Sequence, residues 1–481
     1  MGWGPSFNLA GVIPQRLQFL VSPDLPPAQL ADVFSSAGHQ LFLVGGSVRD
    51  AFLERSVEDF DFATDARPER IAEILDSWAD VVYTVGATFG TVAARKDGFT
   101  VEVTTFRAEV YRDDSRKPQV RFSADIETDL SRRDFTVNAI ALSLMDMTPV
   151  DPHNGLADLA ARVLRTPLDP AVSFSEDPLR MLRLFRFHAT LGFKPESSAV
   201  EAVTRMGDRL NIVSAERIRD ELSKLIVAPA PGKALARVVT SGLAEHFLPE
   251  LPALAMEQDP HQRHKDVLAH TLAVVDKASP DLVLRLAALF HDIGKPGTRQ
   301  FGPDGVSFHH HEVVGARMTR RRLKALRYPK EVVDDVSRLV FLHLRPHTLK
   351  MGWTDAAVRR YVRDAGPLLD RLNELVRCDV TTANPRRQRS IQNQIDELEN
   401  RISELGEKEE ISRLRAPIDG HQVMGYLEIG PGPHIGDIMA LMLERRIEEG
   451  PYTAAEAYAM VRDWAMGRGI PDPGPPPDEE E

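Results

Sequence analysis

Cysteine is almost absent from this 481-residue chain, which has one, Cys378. That excludes an internal disulfide and fits a reducing compartment. Long apolar runs are missing too: the nearest, Leu282–Phe290, is broken by Arg285 and falls short of a membrane span. The segment from Met1 to Gln18 has no basic start followed by an apolar stretch, so no signal peptide is expected and the chain is expected to work in the cytoplasm. Positive charge is in deficit: 59 basic against 71 acidic side chains leave a net charge of −12. This argues against a protein that coats nucleic acid indiscriminately, but it leaves room for a local basic groove. The arginines do cluster, at Arg132–Arg133, at Arg180, Arg183 and Arg186, at Arg320–Arg322, and at Arg386, Arg387 and Arg389. A solvated helix face is the alternative reading of each cluster. A hydrophobic fraction of 43% with 27% charged residues excludes global disorder. The length predicts about three domains.

Residues 1–30 carry Gly and Pro without a clear period and read as a lead-in. Strands are predicted at Leu41–Val44, Asp59–Thr64, Thr91–Ala94 and Val101–Thr105, with a helix from Ser47, giving an α/β or α+β region over 31–150. Beyond residue 155 helical patterns dominate, among them Asp177–Leu191, Ala215–Val227, Val267–Lys277, Leu282–His291, Glu312–Leu326 and Lys330–Leu342. Ile391, Ile395, Leu398, Ile402 and Leu405 follow a heptad-like spacing too short for a coiled coil, and a helical hairpin or small interface is the expected use. The tail Pro471–Glu481 has the composition of a disordered segment.

The chemistry begins at Leu41–Asp50, where Gly45-Gly46 separates a strand from a helix start. Glycine lets the backbone approach a ligand, and a helix N-terminus attracts phosphate. Ser47 and Asp50 have capping-box spacing, and Arg49 in the first turn opposes the helix dipole and calls for an anionic partner. Asp59 and Asp61, two apart on a strand, project from one face and suit Mg²⁺ bound with substrate phosphates. A solvated edge-strand pair is the alternative. Glu102 is a candidate third carboxylate or an exposed edge residue. Arg132 and Arg133 can grip phosphate, and Asn138 can meet a ribose hydroxyl. In Glu176–Arg186, with Pro178 expected at the first helical position, Asp177, Arg180, Arg183 and Arg186 form a winding stripe. Arg and Asp together offer donors and acceptors to a base edge.

In this order and spacing, Gly45-Gly46-x-x-Arg49-Asp50, Asp59-x-Asp61, Arg132-Arg133-Asp134-Phe135, Asp151-x-x-x-Gly155-x-x-Asp158-Leu159, Glu176-Asp177-x-x-Arg180 and Glu216–Glu221 resemble the class II tRNA nucleotidyltransferases, the bacterial CCA-adding enzymes and poly(A) polymerases. The resemblance covers roughly residues 40–460. It implies a multi-domain chain: an α/β (α+β) nucleotidyltransferase head at 31–150, an all-α neck at 151–255, an all-α HD domain at 256–385, a helical region at 386–465 and an acidic tail at 466–481. By it, Asp59 and Asp61 would hold catalytic Mg²⁺, and Gly46, Arg49, Arg133, Arg183 and Arg186 would contact the nucleotide. Asp177 and Arg180 would read the base of CTP or ATP without a template, and Glu216–Glu221 would serve as a helix-bracing segment. Ala108–Val120 resembles the family's flexible loop, which leaves CCA-adding or A-adding activity. The expected partners are tRNA, ATP and CTP, with no membrane and an oligomeric state the sequence leaves open.

His270, His291, Asp292 and Asp379 match the ligand set of the HD phosphohydrolases, with His311 and His343 as second-site candidates and His309 and His310 as surface residues. Mixed imidazole and carboxylate ligands suit a divalent transition metal. The expected function is addition of CCA to tRNA 3′ ends. An A-adding enzyme, a poly(A) polymerase (which the acidic tail disfavours), or an HD-type phosphohydrolase with a nucleotide- or RNA-binding head are the alternatives.

Overall fold

The computed structural model describes residues 17, 19–20, 22–57, 59–110, 119–122, 125–256, 266–302, 305–348, 353–380, 385–409 and 414–477. The chain forms two compact units, Met1–Pro252 and Ala253–Glu481.

The first unit is built on strands β1 (Leu41–Val44), β2 (Phe60–Thr64), β3 (Val81–Tyr83), β4 (Thr91–Lys96), β5 (Phe99–Thr105), β6 (Arg107–Val110), β7 (Gln119–Phe122), β8 (Ala141–Ser143) and β9 (Pro149–Val150). Seven of them make one sheet in the order β3-β4-β5-β2-β1-β8-β9, while β6 and β7 pair with each other. Only β2 and β5 run parallel within that sheet, in a register that sets Asp61 opposite Glu102. Alternation along β1 explains the layering. Leu41 and Leu43 enter a core closed by helices α1 (Pro26–Ser36), α2 (Gly46–Phe52) and α3 (Pro68–Asp76), through Leu30, Phe34, Val48 and Ile71. Phe42 and Val44 enter a smaller core on the other face with Ile126 and Leu130 of α4 (Ile126–Ser131).

The expected lead-in is partly structured. Proline in the first turn starts α1 at Pro26, and Leu17, Leu20 and Leu30 are buried in the head core. β3 escaped the sequence reading because its burial is inverted, with Val81 and Tyr83 nearly half exposed. Residues 111–118 of the loop-like stretch Ala108–Val120 lie outside the described residues, as do 1–16 of the lead-in and 478–481 of the tail.

Helices α5 (Gly155–Ala161), α6 (Pro170–Glu176), α7 (Leu179–Leu191), α8 (Ser197–Met206), α9 (Ala215–Ile226) and α10 (Pro231–Thr240) complete this unit, and within this otherwise helical neck Val163–Leu164 pairs in parallel with Lys194–Pro195. α7 starts two residues later than expected. Pro178 occupies its N-cap, and Asp177 is extended, its Oδ1 accepting from the Leu179 N–H at 3.2 Å.

The second unit comprises α11 (Val267–Lys277), α12 (Leu282–Phe290), α13 (Lys295–Thr298), α14 (His311–Ala325), α15 (Lys330–Leu342), α16 (Arg345–Thr348), α17 (Asp355–Ala365), α18 (Leu369–Asp379), α19 (Pro385–Glu409), α20 (Gly420–Leu427), α21 (Pro433–Glu449) and α22 (Ala454–Met466), with Gln300–Gly302 pairing antiparallel with Gly305–Ser307. The heptad-like face lies on α19: Ile395, Leu398 and Leu405 are buried, and Arg377 of α18 pairs with Glu399 at 2.6 Å. Among the described residues no helix is long and apolar enough to cross a membrane.

Candidate active site

Phosphate-turn glycine is needed at Gly45. It has a φ of +74°, and a Cβ there would lie 2.8 Å from Arg133 Nη1. Gly46 only opens α2, in open space apart from Arg49. The expected Ser47–Asp50 capping box does not form, since α2 has no side-chain cap. Ser47 Oγ instead donates to the Asp59 carbonyl at 2.9 Å and accepts from the Asp61 N–H at 3.3 Å, tying the helix start to the acidic strand. The anion beside Arg49 is Asp50, at 2.6 Å, and Arg49 Nη1 also donates to Asn138 Oδ1 at 2.7 Å. Asn138 Nδ2 donates to Asp134 Oδ1 at 2.9 Å, so both ends of the amide expected to meet a ribose are used inside the protein.

Asp59 stands exposed just before β2, and Asp61 lies on it beside Glu102 of β5. Burial pushes the Asp61 carboxyl above its ordinary pKa. Arg133 opposes that, and the charges of Glu102 and Asp59 add to it. A half-buried carboxylate repelled by two neighbouring acids, with the Arg133 guanidinium opposite, is chemistry that suits divalent cations with oxygen ligands.

A cleft of about 340 Å³ adjoins these acids. Asp61, Glu102, Arg133, Asp177, Arg180 and Arg183 are among its lining residues; Gly46, Arg49, Asp59 and Arg186 are not. Its arginines are held from behind. Asp129, one turn before them on α4 and 1% exposed, pairs with Arg132 at 2.8 Å and Arg133 at 3.2 Å. Arg180 donates to the Ser173 carbonyl and Oγ, to Glu176 and to the Arg132 carbonyl. Arg183 reaches Asp134 at 2.6 Å and Glu221 of α9 at 3.0 Å, and Arg186 pairs with Glu221 at 2.6 Å. The winding stripe thus faces protein carboxylates. Burial alone would raise the Asp134 carboxyl, but Arg183 and Asn138 hold it down at about 2. Arg217, 2.7 Å from Asp177, completes the rim. Asp129, Arg217 and the bracing role of Asp134 were missed in the sequence. Only Asp129 carried a local signal, three and four residues before the arginines it holds.

In the second unit the ends of five helices bring the predicted HD residues together. His270 Nε2 lies 3.1 Å from His291 Nε2 and 2.9 Å from Asp379 Oδ1, and His291 Nε2 is 3.2 Å from Asp292 Oδ2. Asp292 also belongs to a second group with His311 and His343, and His311 Nε2 is 3.4 Å from its Oδ1. The Nδ1 atoms of His291, His311 and His343 are each fixed on a backbone carbonyl, at 2.8, 2.8 and 2.6 Å. That aims their Nε2 atoms inward, and His343 Nε2 is buried with no hydrogen-bond partner. Burial and the neighbouring His291 hold the His343 imidazole neutral, with a pKa pushed down to about 3. This donor set fits a divalent transition metal. Gly294 is required here, since a Cβ would collide with the His311 carbonyl. His310 is an exposed surface residue, as is His309.

Residues 41–165 match the family described as poly A polymerase head domain, 192–254 the probable RNA and SrmB-binding site of polymerase A, and 241–384 the HD domain. Over 237 residues the chain is 42% identical to the CCA-adding enzyme of Streptococcus gordonii, covering 49% of this chain and 58% of that one. Over 215 residues it is 40% identical to the CCA-adding enzyme of Anoxybacillus flavithermus, covering 44% and 53%. The chain therefore spans little more than half the length of the curated relatives it matches. Its structure is similar to that of the Bacillus stearothermophilus CCA-adding enzyme in complex with CTP, with a TM-score of 0.68 at 25% identity over 92% of this chain and 99% of that one. A tRNA nucleotidyltransferase complexed with a primer tRNA and an incoming ATP analogue shares the fold, with a TM-score of 0.53 at 22% identity over 77% and 98%.

Proposed function

We propose that this chain, which carries the poly A polymerase head, the RNA-binding region and the HD domain of the CCA-adding enzyme and poly(A) polymerase family, adds CCA to tRNA 3′ ends from CTP and ATP without a nucleic-acid template. The observation that carries this reading is Asp61 and Glu102, side by side on adjoining strands in a cleft also lined by Arg133, Arg180 and Arg183, with the charge of Asp59 acting on Asp61 from beside it. The primer 3′-oxygen forms a bond to the α-phosphorus of the nucleotide, the bond to the bridging oxygen of the β-phosphate breaks, and pyrophosphate leaves. Asp59 and Asp61, with Glu102 beside them, would hold Mg²⁺, which supplies activation of the hydroxyl and stabilisation of developing charge. Arg133, held by Asp129, offers a guanidinium to the phosphates. Asp177 and Arg180 line the cleft where the base would be read, held by Arg217 and by Glu176, and Arg183 lines it anchored on Asp134 and Glu221. Arg49 and Arg186 act from outside the cleft as braces.

The converging imidazoles of the second unit support a second chemistry. His270, His291, Asp292 and Asp379 would hold a divalent transition metal, with His311 and His343 at a second position, in a phosphoester hydrolase centre.

The test is incubation with Mg²⁺ and tRNA lacking its 3′ end, offering CTP, ATP or both. Two cytidines from CTP, and a single terminal adenosine with both, would support CCA addition. Activity only on tRNA ending in CC would make it an A-adding enzyme, and long adenosine tails a poly(A) polymerase. No incorporation at all would leave the HD centre as the main activity.

A further inference from the structure

Helix α14 concentrates positive charge in a chain that is acidic overall. It carries Arg317, Arg320, Arg321, Arg322 and Lys324 against one acid, Glu312. Much of such a face is ordinarily neutralised by neighbours, and part of it is: Arg320 pairs with Asp334 of α15, which also holds Lys330 at 3.0 Å. Arg317 and Arg321 are different. Both are exposed, and neither has an ion-pair or hydrogen-bond partner among the described residues. They stand one helical turn apart, where like charges repel and weaken the helix.

Beside them lies a cleft of about 550 Å³ whose lining includes Arg317, Arg338, Phe341 and Arg363. Arg338 is held by the Asp364 carbonyl at 2.7 and 3.0 Å, which orients its guanidinium without cancelling its charge. The Asp364 carboxylate is already engaged by Arg345 at 2.6 Å and Arg363 at 2.9 Å. Asp335 is a further lining acid, and no ion pair joins it to Arg317, Arg321 or Arg338 among the described residues. The surplus guanidiniums, Arg317, Arg321 and Arg338, therefore have no carboxylate of their own. Guanidinium forks match phosphate oxygens bidentately. Phe341, 36% exposed in the same cleft, offers an aromatic face on which an unpaired base can stack, which favours RNA over an acidic peptide.

We propose that the exposed face of α14 and the adjoining cleft form a docking surface for RNA backbone phosphates. The inference rests on the tRNA-processing reading above for the identity of the RNA.

The test uses the full chain and tRNA lacking its 3′ end. Binding is measured across a salt series, together with steady-state nucleotide addition. The double variant R317E/R321E should bind tRNA more weakly, and the slope of log K against log salt should become shallower by about 1 to 2. The KM for tRNA should rise with kcat and the KM for CTP unchanged, whereas R317K/R321K should bind like the parent. Unchanged affinity and slope in R317E/R321E would overturn the proposal. So would a lysine variant as weak as the glutamate one, since charge would not then be what the surface offers. A parent chain that binds tRNA but adds no nucleotide would count against the proposed function alone, because the binding series still reads this surface.

Discussion

A carboxylate buried as deeply as Asp134 is destabilising unless its charge is matched, and here Arg183 and Asn138 match it. Its folded pKa of about 2 lies below the ordinary value of 3.8. The unfolded chain therefore binds the proton first as the pH falls, and Asp134 stabilises the fold fully only above the unfolded pKa. Asp134→Asn should lower stability by about 2 kcal/mol at neutral pH. Between about pH 5 and about pH 3 the variant should lose less stability than the parent, as read from urea midpoints. A variant that tracked the parent through this window would mean that the Arg183 pairing is not what stabilises the site. Residues closer to the reaction should act differently. Asp59→Ala and Asp61→Asn should each cut nucleotide incorporation by roughly 10³-fold or more, because the remaining acids cannot hold the cation pair. Their melting temperatures should not fall, since Asp61 is relieved of repulsion from Glu102 and Asp59.

At the scale of elements, legibility in the sequence followed the range of the interactions. α11 and α15 were readable because their buried residues recur locally at the helical period of 3.6. The acidic pair Asp59 and Asp61 and the neighbours His291 and Asp292 were readable from short spacings, whereas His270, His311, His343 and Asp379 lie far apart in the sequence and were marked only by resemblance to a known family. What the local pattern could not supply was the partner: Glu221, in the segment the resemblance marked as helix-bracing, receives Arg183 from 38 residues away, and Asp134 receives it from 49. No local pattern announces such a pair, so the arginine stripe of α7 looked open to ligand when much of it is internally braced. The heptad-like face of α19 shows the same limit. Its spacing is compatible with a second chain, yet Ile395, Leu398 and Leu405 are buried within their own unit. Leu398→Ala should therefore lower stability by about 2–5 kcal/mol. Light scattering should show an unchanged oligomeric state, whereas dissociation without a loss of unfolding free energy would reassign α19 to a subunit interface.

Across the whole molecule, two candidate donor sets of different chemistry sit in two compact units: the carboxylates of the proposed Asp59 and Asp61 site in the first, mixed imidazole and carboxylate in the second. Hard oxygen donors select magnesium, and imidazoles select transition metals, so the two should be separable in one preparation. The second centre should also load in a pH-dependent way. Burial would lower the pKa of His291, but Asp292 and Asp379 outweigh it and raise the pKa to about 10. In the metal-free chain that imidazole holds a proton at neutral pH, and an incoming cation must displace it. Retention of manganese or nickel after dialysis should accordingly weaken as the pH falls from about 8 to about 6. His291→Ala should abolish retention at every pH, as elemental analysis would read. His270→Ala, at the more exposed ligand, should do the same with less damage to the packing of α12. CTP and ATP incorporation should survive both substitutions, and Asp59→Ala should give the converse, full transition-metal content without incorporation. Loss of incorporation in His270→Ala with its fold intact would mean that the two centres serve a single reaction.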